Sequence, residues 1–367
     1  MPTRKPNQLD IPGLRLANQH LISPTATDPV AVVRRLGAVQ SQDYGGAKWA
    51  IGMRTIGLTD ADVERALNAG SIVRTHVLRP TWHFLAAEDA RWILALTAPR
   101  VQIANAHMYG NIEVNAAIFR KSDTIIAKAL SGGNHLTRRE LGDILSRSRI
   151  RMTHPQQLAY LMMNAELNAL ITSGPRRGNQ FTYALFDERV PLTKPRDRED
   201  ALAELARRYF STRGPATVHD FSWWSGLTVA DSRTAIALLG SSLVSEVVGE
   251  TTYWIAFDAA PAAAAKNAVH LLPNFDEYFI GFRDRGAMLD IVKRFSLLPG
   301  NPMFTAHVIV HDGQLIGGWK RSLSSKSVAV DVQLVSKLKP AMRKALLVTA
   351  AQYGRFLGLP VEVTGHE

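Results

Sequence analysis

With 367 residues and no cysteine, the chain suits two or three domains and excludes disulfide frameworks and thiolate metal sites. Hydrophobic residues make up 46% and charged residues 20%, enough to bury several cores, and no apolar run approaches the roughly 18 residues of a membrane span. The 43 Lys+Arg exceed the 32 Asp+Glu by +11, which favours a polyanionic partner whose neutralised phosphates release counterions.

The N-terminal MPTRKPNQLD lacks the apolar core of a signal peptide, and the alanine-rich run Ala259–Ala265 is short and interrupted by Pro261. A cytoplasmic, nucleoid-associated address is expected. Asp28–Pro29 opens the first predicted helix, with a stripe of Val32, Leu36 and Val39. The segment AVQSQDYGG follows, with Gln40 and Gln42 expected at a helix end and in the next turn, flanked by Asp43 and Tyr44. Next to it AKWAI is apolar apart from Lys48. A polar cluster beside an apolar wall is how a small site is often built; equally, such glutamines cap helix ends or bind backbone.

Thr59 with Asp62 caps another helix, and Ile72–Leu85 reads as a hairpin with Pro80 near its turn. Strand alternation puts Arg74, His76 and Leu78 on one face and Thr75, Val77 and Arg79 on the other. Arg74 and Arg79 fit either contacts to a phosphate backbone or ion pairs that position the hairpin. His83 sits in an apolar strand, where a satisfied core histidine is the ordinary outcome.

Two later stretches superimpose: GNHLTRREL from Gly133 and RGPATVHDF from Arg213. Thr137 with Glu140 makes a capping box, and Thr217 with Asp220 an acidic variant. After the first comes a helix starting near Thr153–Pro155, a turn at Ser173–Gln180 and a strand Phe181–Phe186. After the second comes a helix capped by Thr228 and Asp231, then strands Leu243–Val248 and Thr251–Phe257. Helix, helix and hairpin is the winged-helix plan. The fold class expected is therefore α+β, with tandem winged helices at 1–116, 117–195 and 196–262 and a C-terminal α+β unit at 263–367.

In that last unit Phe304–Val310 and Gln314–Arg321 form a hairpin about Asp312–Gly313, followed by a strand near Ser327–Leu334 and a helix from Pro340 to Phe356. Asp276, Glu277 and Asp284 fall in a loop-like region, where solvated or structural roles are the default. The arginine pairs Arg34–Arg35, Arg138–Arg139, Arg176–Arg177 and Arg207–Arg208 serve either phosphates or solvated helix faces. Phosphate-loop, zinc-helix and nucleophile-elbow motifs are missing, and the eleven histidines have no zinc-site spacing; neither metal nor cofactor is expected.

The strings RRLGAVQSQDYGGAKWAIGMR and RTHVLRPTWHFLAAEDARWI, with LLPNFDEYFIGFRDR and VIVHDGQLIGGWKR, resemble the AlkZ/YcaQ-type tandem winged-helix DNA glycosylases from about Leu14 to Trp319. The resemblance implies three winged helices around a concave basic face; the expected partner is double-stranded DNA, alkylated or crosslinked, and a monomer is the default state. It also implies hydrolysis of the N-glycosidic bond of cationic alkylated purines such as N7-alkylguanine. The family's Gln-x-Gln motif falls on Gln40–Ser41–Gln42, giving Gln42 the attacking water and Gln40 a supporting role. Asp43, Tyr44 and His83 are candidate supporting residues, and Arg74, Arg79, Arg138, Arg139, Arg176 and Arg177 candidate DNA contacts. A non-catalytic winged-helix regulator, or a general nucleic-acid clamp, is the alternative; no coiled-coil heptads favour a dimeric regulator.

Overall fold

A computed structural model describes residues 9–258, 267–294 and 307–365. The run Ala259–Ala265, the residue 262/263 boundary and the first three residues of the expected strand Phe304–Val310 lie outside them.

The chain opens with α1 (Ile11–Asn18) and α2 (Pro29–Leu36), the latter capped by the Asp28 carboxylate on two backbone N–H groups. α2 ends at Gly37, whose φ of +78° a side chain would resist. Val39 and Gln40 then form the short strand β1 (Val39–Gln40), so Gln40 does not end a helix. Next come α3 (Tyr44–Gly52), α4 (Asp60–Ala69), β2 (Ile72–Val77) and β3 (Thr81–Ala86). β1 pairs with β3, and β3 with β2, all antiparallel, with Gln40 opposite His83 and His83 opposite Thr75.

Two helices that the sequence reading lacked follow: α5 (Ala87–Asn111), which carries Pro99 within it, and α6 (Ala116–Leu130). The first superimposable stretch becomes β4 (Leu136–Thr137), α7 (Arg138–Arg147), α8 (Gln157–Leu167), β5 (Ile171–Ser173) and β6 (Thr182–Leu185), in a sheet ordered β4-β6-β5. α9 (Phe186–Arg189) and α10 (Arg198–Arg213) lead into α11 (Val218–Ser225), α12 (Val229–Leu239), β7 (Leu243–Val248) and β8 (Thr251–Ala256). Capping boxes close α4, α7, α11 and α12, each with a threonine at the N-cap.

The C-terminal part holds β9 (Val269–Leu272), α13 (Glu277–Ile280), α14 (Asp290–Arg294), β10 (His307–His311), β11 (Gln314–Leu323), β12 (Val328–Leu334), α15 (Pro340–Leu357) and β13 (Val361–Thr364). Its five strands run β13-β12-β11-β10-β9, with only β12 and β13 parallel. One core mixes residues of α1, the β2–β3 hairpin, α5, α10, α11 and β10, from Leu16 to Leu315. A second joins α2, α3 and α4 to the five-stranded sheet and α15. The C-terminal unit is thus packed onto the segment that holds Gln40, through Trp49, Trp319, Tyr353 and Phe356.

Candidate active site

Gln40 sits at the end of β1 and is buried, whereas Gln42, two residues on, is exposed. Their side chains are linked. Arg79 Nη2 donates to Gln40 Oε1 (3.0 Å), and Gln40 Nε2 donates to Gln42 Oε1 (2.7 Å). Because a guanidinium carries only donors, it fixes which end of the Gln40 amide faces it. That orientation passes on to Gln42, whose Oε1 keeps a second lone pair and whose NH2 stays uncommitted to Gln40.

The backbone of the motif is held as firmly. Gln40 N–H donates to Glu277 Oε1 (2.9 Å), Ser41 N–H to the Trp82 carbonyl (2.7 Å), and Arg74 Nε to the Ser41 carbonyl (3.2 Å). Glu277 is fully buried and takes the structural of its two expected roles, at the start of α13 and not in a loop. Its Oε2 accepts from Arg213 Nη2 (2.6 Å) and from the Trp224 indole (2.9 Å). Arg213 also donates to the Leu36 and Ala38 carbonyls. Asp276 is likewise structural, buried in a two-pronged pair with Arg54, 2.9 Å at each contact; of the three acids only Asp284 is exposed.

The supporting candidates separate. Asp43 caps α3 by accepting from Gly46 N–H (3.0 Å) and is paired with Arg321 Nη2 (2.6 Å) on β11. Tyr44 donates to Glu64, and burial together with that carboxylate raises its pKa, so it stays a phenol. Glu64 also pairs with the buried Lys48 (2.7 Å). The arrangement has one chemical consequence: Asp43, next to Gln42 in the chain, and Glu277, hydrogen-bonded to the Gln40 backbone, each have an arginine partner. Neither of these two carboxylates is an unpaired base.

His83 is fully buried, and its Nδ1–H donates to the Thr81 carbonyl (3.0 Å). Its Nε2 and the Thr75 Oγ1 facing it across the sheet find no partner among the described residues, so it is not the fully satisfied core histidine expected. Burial, with the Arg79 charge beside it, pushes the imidazole pKa down to about 3. A neutral buried base destabilises the fold in acid. Below the unfolded pKa of 6.5 the unfolded chain takes a proton that the folded chain refuses, until pH falls to the folded value. The expected loss from this group is about 2 kcal/mol between pH 7 and pH 5. Urea unfolding at both pH values should show His83→Gln losing that much less than wild type; equal losses would refute the assignment.

The candidate DNA contacts are also of two kinds. Arg138 and Arg139 are exposed at the start of α7. Arg177 is half exposed but tied to Glu140 (2.7 Å) and the His135 carbonyl (2.6 Å). Arg74 lies over Trp82 (4.3 Å from the centroid) and Phe181 (4.8 Å), Arg176 over Phe181 and Tyr44, and Arg79 over Trp223. Among the described residues no ion pair with a carboxylate positions Arg74 or Arg79, which carbonyl, amide and aromatic contacts hold, whereas Arg176 also lies 3.9 Å from a Glu64 carboxylate oxygen. Of the arginine pairs, Arg208 is structural, buried on Asp89 (2.6 Å) and Glu204 (2.7 Å). Sequence reasoning missed Arg213, Arg321, Phe181 and Trp223, whose places depend on contacts far along the chain. An apolar cavity of about 890 Å³ between α3 and α15 shares no lining residue with the glutamine motif.

The fold is shared with the DNA glycosylase AlkZ of Streptomyces sahachiroi, with a TM-score of 0.78 at 22% identity, over 97% of this chain and 98% of that one. The curated interstrand DNA cross-link repair glycosylase of Streptomyces sahachiroi is 23% identical over 320 residues, which is 83% of this chain and 85% of that protein. The sequence model described as DNA glycosylase AlkZ-like matches residues 33–356. The chain belongs to the AlkZ-like DNA glycosylase family. It is an enzyme that hydrolyses N-glycosyl bonds in DNA. Among the described residues no helix is long and apolar enough to cross a membrane.

Proposed function

We propose that the chain excises cationic alkylated purines such as N7-alkylguanine from duplex DNA, interstrand crosslinks included, with Gln42 holding the attacking water. The observation that carries this reading is the pairing with arginines of Asp43 and Glu277, the acids that adjoin the motif in the chain and by hydrogen bond. An N7-alkylated guanine leaves without a general acid, because it takes the glycosidic electron pair and departs neutral. The water then needs orientation as charge builds on the sugar, more than it needs a strong base. Gln42 Oε1 can accept a hydrogen from that water while its other lone pair takes the Gln40 amide. Water oxygen bonds to C1′ as the C1′–N9 bond breaks, and the surplus proton goes to solvent. A neutral leaving base would call for a carboxylate or a paired acid.

Three helix–helix–hairpin sets support the tandem winged-helix reading: α2, α4 and β2–β3; α7, α8 and β5–β6; α11, α12 and β7–β8. Exposed Arg138 and Arg139 then serve phosphates, while Arg74, Arg79 and Arg176 hold the rim of the site. The cross-link repair named for the Streptomyces relative supports crosslinked substrates.

The test is incubation of the protein with a duplex carrying a single N7-methylguanine, abasic sites being scored by alkaline cleavage, and with a duplex crosslinked between N7 positions. Cleavage at the lesion is expected. Salt-sensitive binding without base release from either duplex would favour the non-catalytic DNA-binding protein.

A further inference from the structure

α11 presents two tryptophans in succession with opposite fates. Trp224 is fully buried and gives its indole N–H to Glu277. Trp223 is 42% exposed, and the Arg79 guanidinium lies over its ring, 5.0 Å from the centroid. The same guanidinium donates to Gln40 Oε1. An exposed indole from a helix some 180 residues down the chain is therefore two contacts from the glutamine motif.

Backbone packing puts it there. Gly226 closes α11 at φ +72°, and a Cβ on it would come within 2.2 Å of the Leu78 carbonyl oxygen. The end of α11 and the turn leading to Arg79 thus meet main chain to main chain, with no room for a side chain between them. Phe181 is comparably exposed at 40%, but its ring is engaged by both Arg74 and Arg176 and by the edge of Tyr44. Trp223 has one cationic neighbour and a large area open to solvent.

We propose that Trp223 is a base-stacking residue: a nucleobase of the duplex beside the lesion packs on its exposed ring once the alkylated purine has left its place. Arg79, between the indole and Gln40, ties that stack to the position of the catalytic amides. The occupant fits the surface. Nucleobases offer a π-face to an indole whatever their identity, and the phosphates that accompany them meet the positive charge of Arg74, Arg79 and Arg176. The inference rests on the reading of the glutamine motif as the place where base excision occurs.

The test uses binding without chemistry. Fluorescence anisotropy gives the ratio of affinities for a duplex with one tetrahydrofuran abasic-site analogue and for the same duplex intact. Wild type should prefer the abasic duplex. Trp223→Ala should lower that preference about tenfold, Trp223→Leu should do the same because it keeps apolar bulk without a π-face, and Trp223→Phe should retain most of it. A wild-type preference in the alanine or leucine variant, or a wild type that does not distinguish the duplexes, overturns the proposal. Because no base is excised, wild type that leaves N7-methylguanine intact yet shows the Trp223-dependent preference would sink the lesion assignment alone.

Discussion

Replacing Gln42 by alanine is expected to lower the single-turnover rate of base excision by two to three orders of magnitude while DNA affinity stays within about threefold. The magnitude is that of removing one preorganised hydrogen-bonding group from a developing charge. Affinity is spared because Gln42 is a single polar side chain in a surface otherwise held by arginines and aromatics. The side-chain relay Arg79–Gln40–Gln42 makes the expectation graded. Gln40→Ala leaves the Gln42 amide, proposed to hold the water, in place but removes the donor that orients it, so a smaller loss, about tenfold, should follow. Arg79→Met combined with Gln40→Ala should cost less than the sum of the two, since both changes cut the same chain. The measurement is excision of N7-methylguanine under enzyme excess, with anisotropy on the same duplex. Excision by Gln42→Ala at the wild-type rate would mean that another group holds the water.

Local signals in the sequence located most elements correctly. The β7–β8 hairpin follows from two apolar runs around Gly249–Glu250, and the four capping boxes from threonine and an acid three residues apart, because those interactions close within one turn of chain. Gln40 was misplaced for the opposite reason. Nothing local distinguishes a helix end from a two-residue strand, and β1 exists only through its pairing with Phe84 and His83, more than forty residues on. Val39, assigned to a helix stripe, is buried in that strand instead. The site itself entered through resemblance; periodicity alone left Gln40 and Gln42 between a site and a cap. Trp223 and Trp224 show the limit most clearly. The two residues are identical and adjacent, and tertiary packing buries one and exposes the other.

Glu277 was hidden by the same limit, and its replacement carries the largest expected stability effect. An acidic pair in a loop-like region fits a solvated or a structural role alike, and only the fold decides: the carboxylate of Glu277 is buried and satisfies three different elements, Arg213 of α10, Trp224 of α11 and the backbone of β1. Glu277→Ala would leave the buried Arg213 guanidinium without its counter-charge and the Gln40 and Trp224 N–H groups without acceptors. Breaking a buried pair from one side costs about 3–5 kcal/mol, a large fraction of the stability of an ordinary domain. Urea midpoints of wild type, Glu277→Ala and the double change Glu277→Leu with Arg213→Met measure it. The double variant should recover much of the loss, because it removes the orphaned charge along with the pair. A loss below about 1 kcal/mol for Glu277→Ala would mean that Arg213 finds another partner or water. The same carboxylate fixes the Gln40 N–H, so under conditions where Glu277→Gln remains folded its excision rate should fall less than that of Gln42→Ala. The amide oxygen still accepts from Gln40 even though the charge on Arg213 goes unanswered. Glu277 therefore holds the strand of the glutamine motif by a hydrogen bond and the surrounding helices by its charge, and the two variants separate those roles.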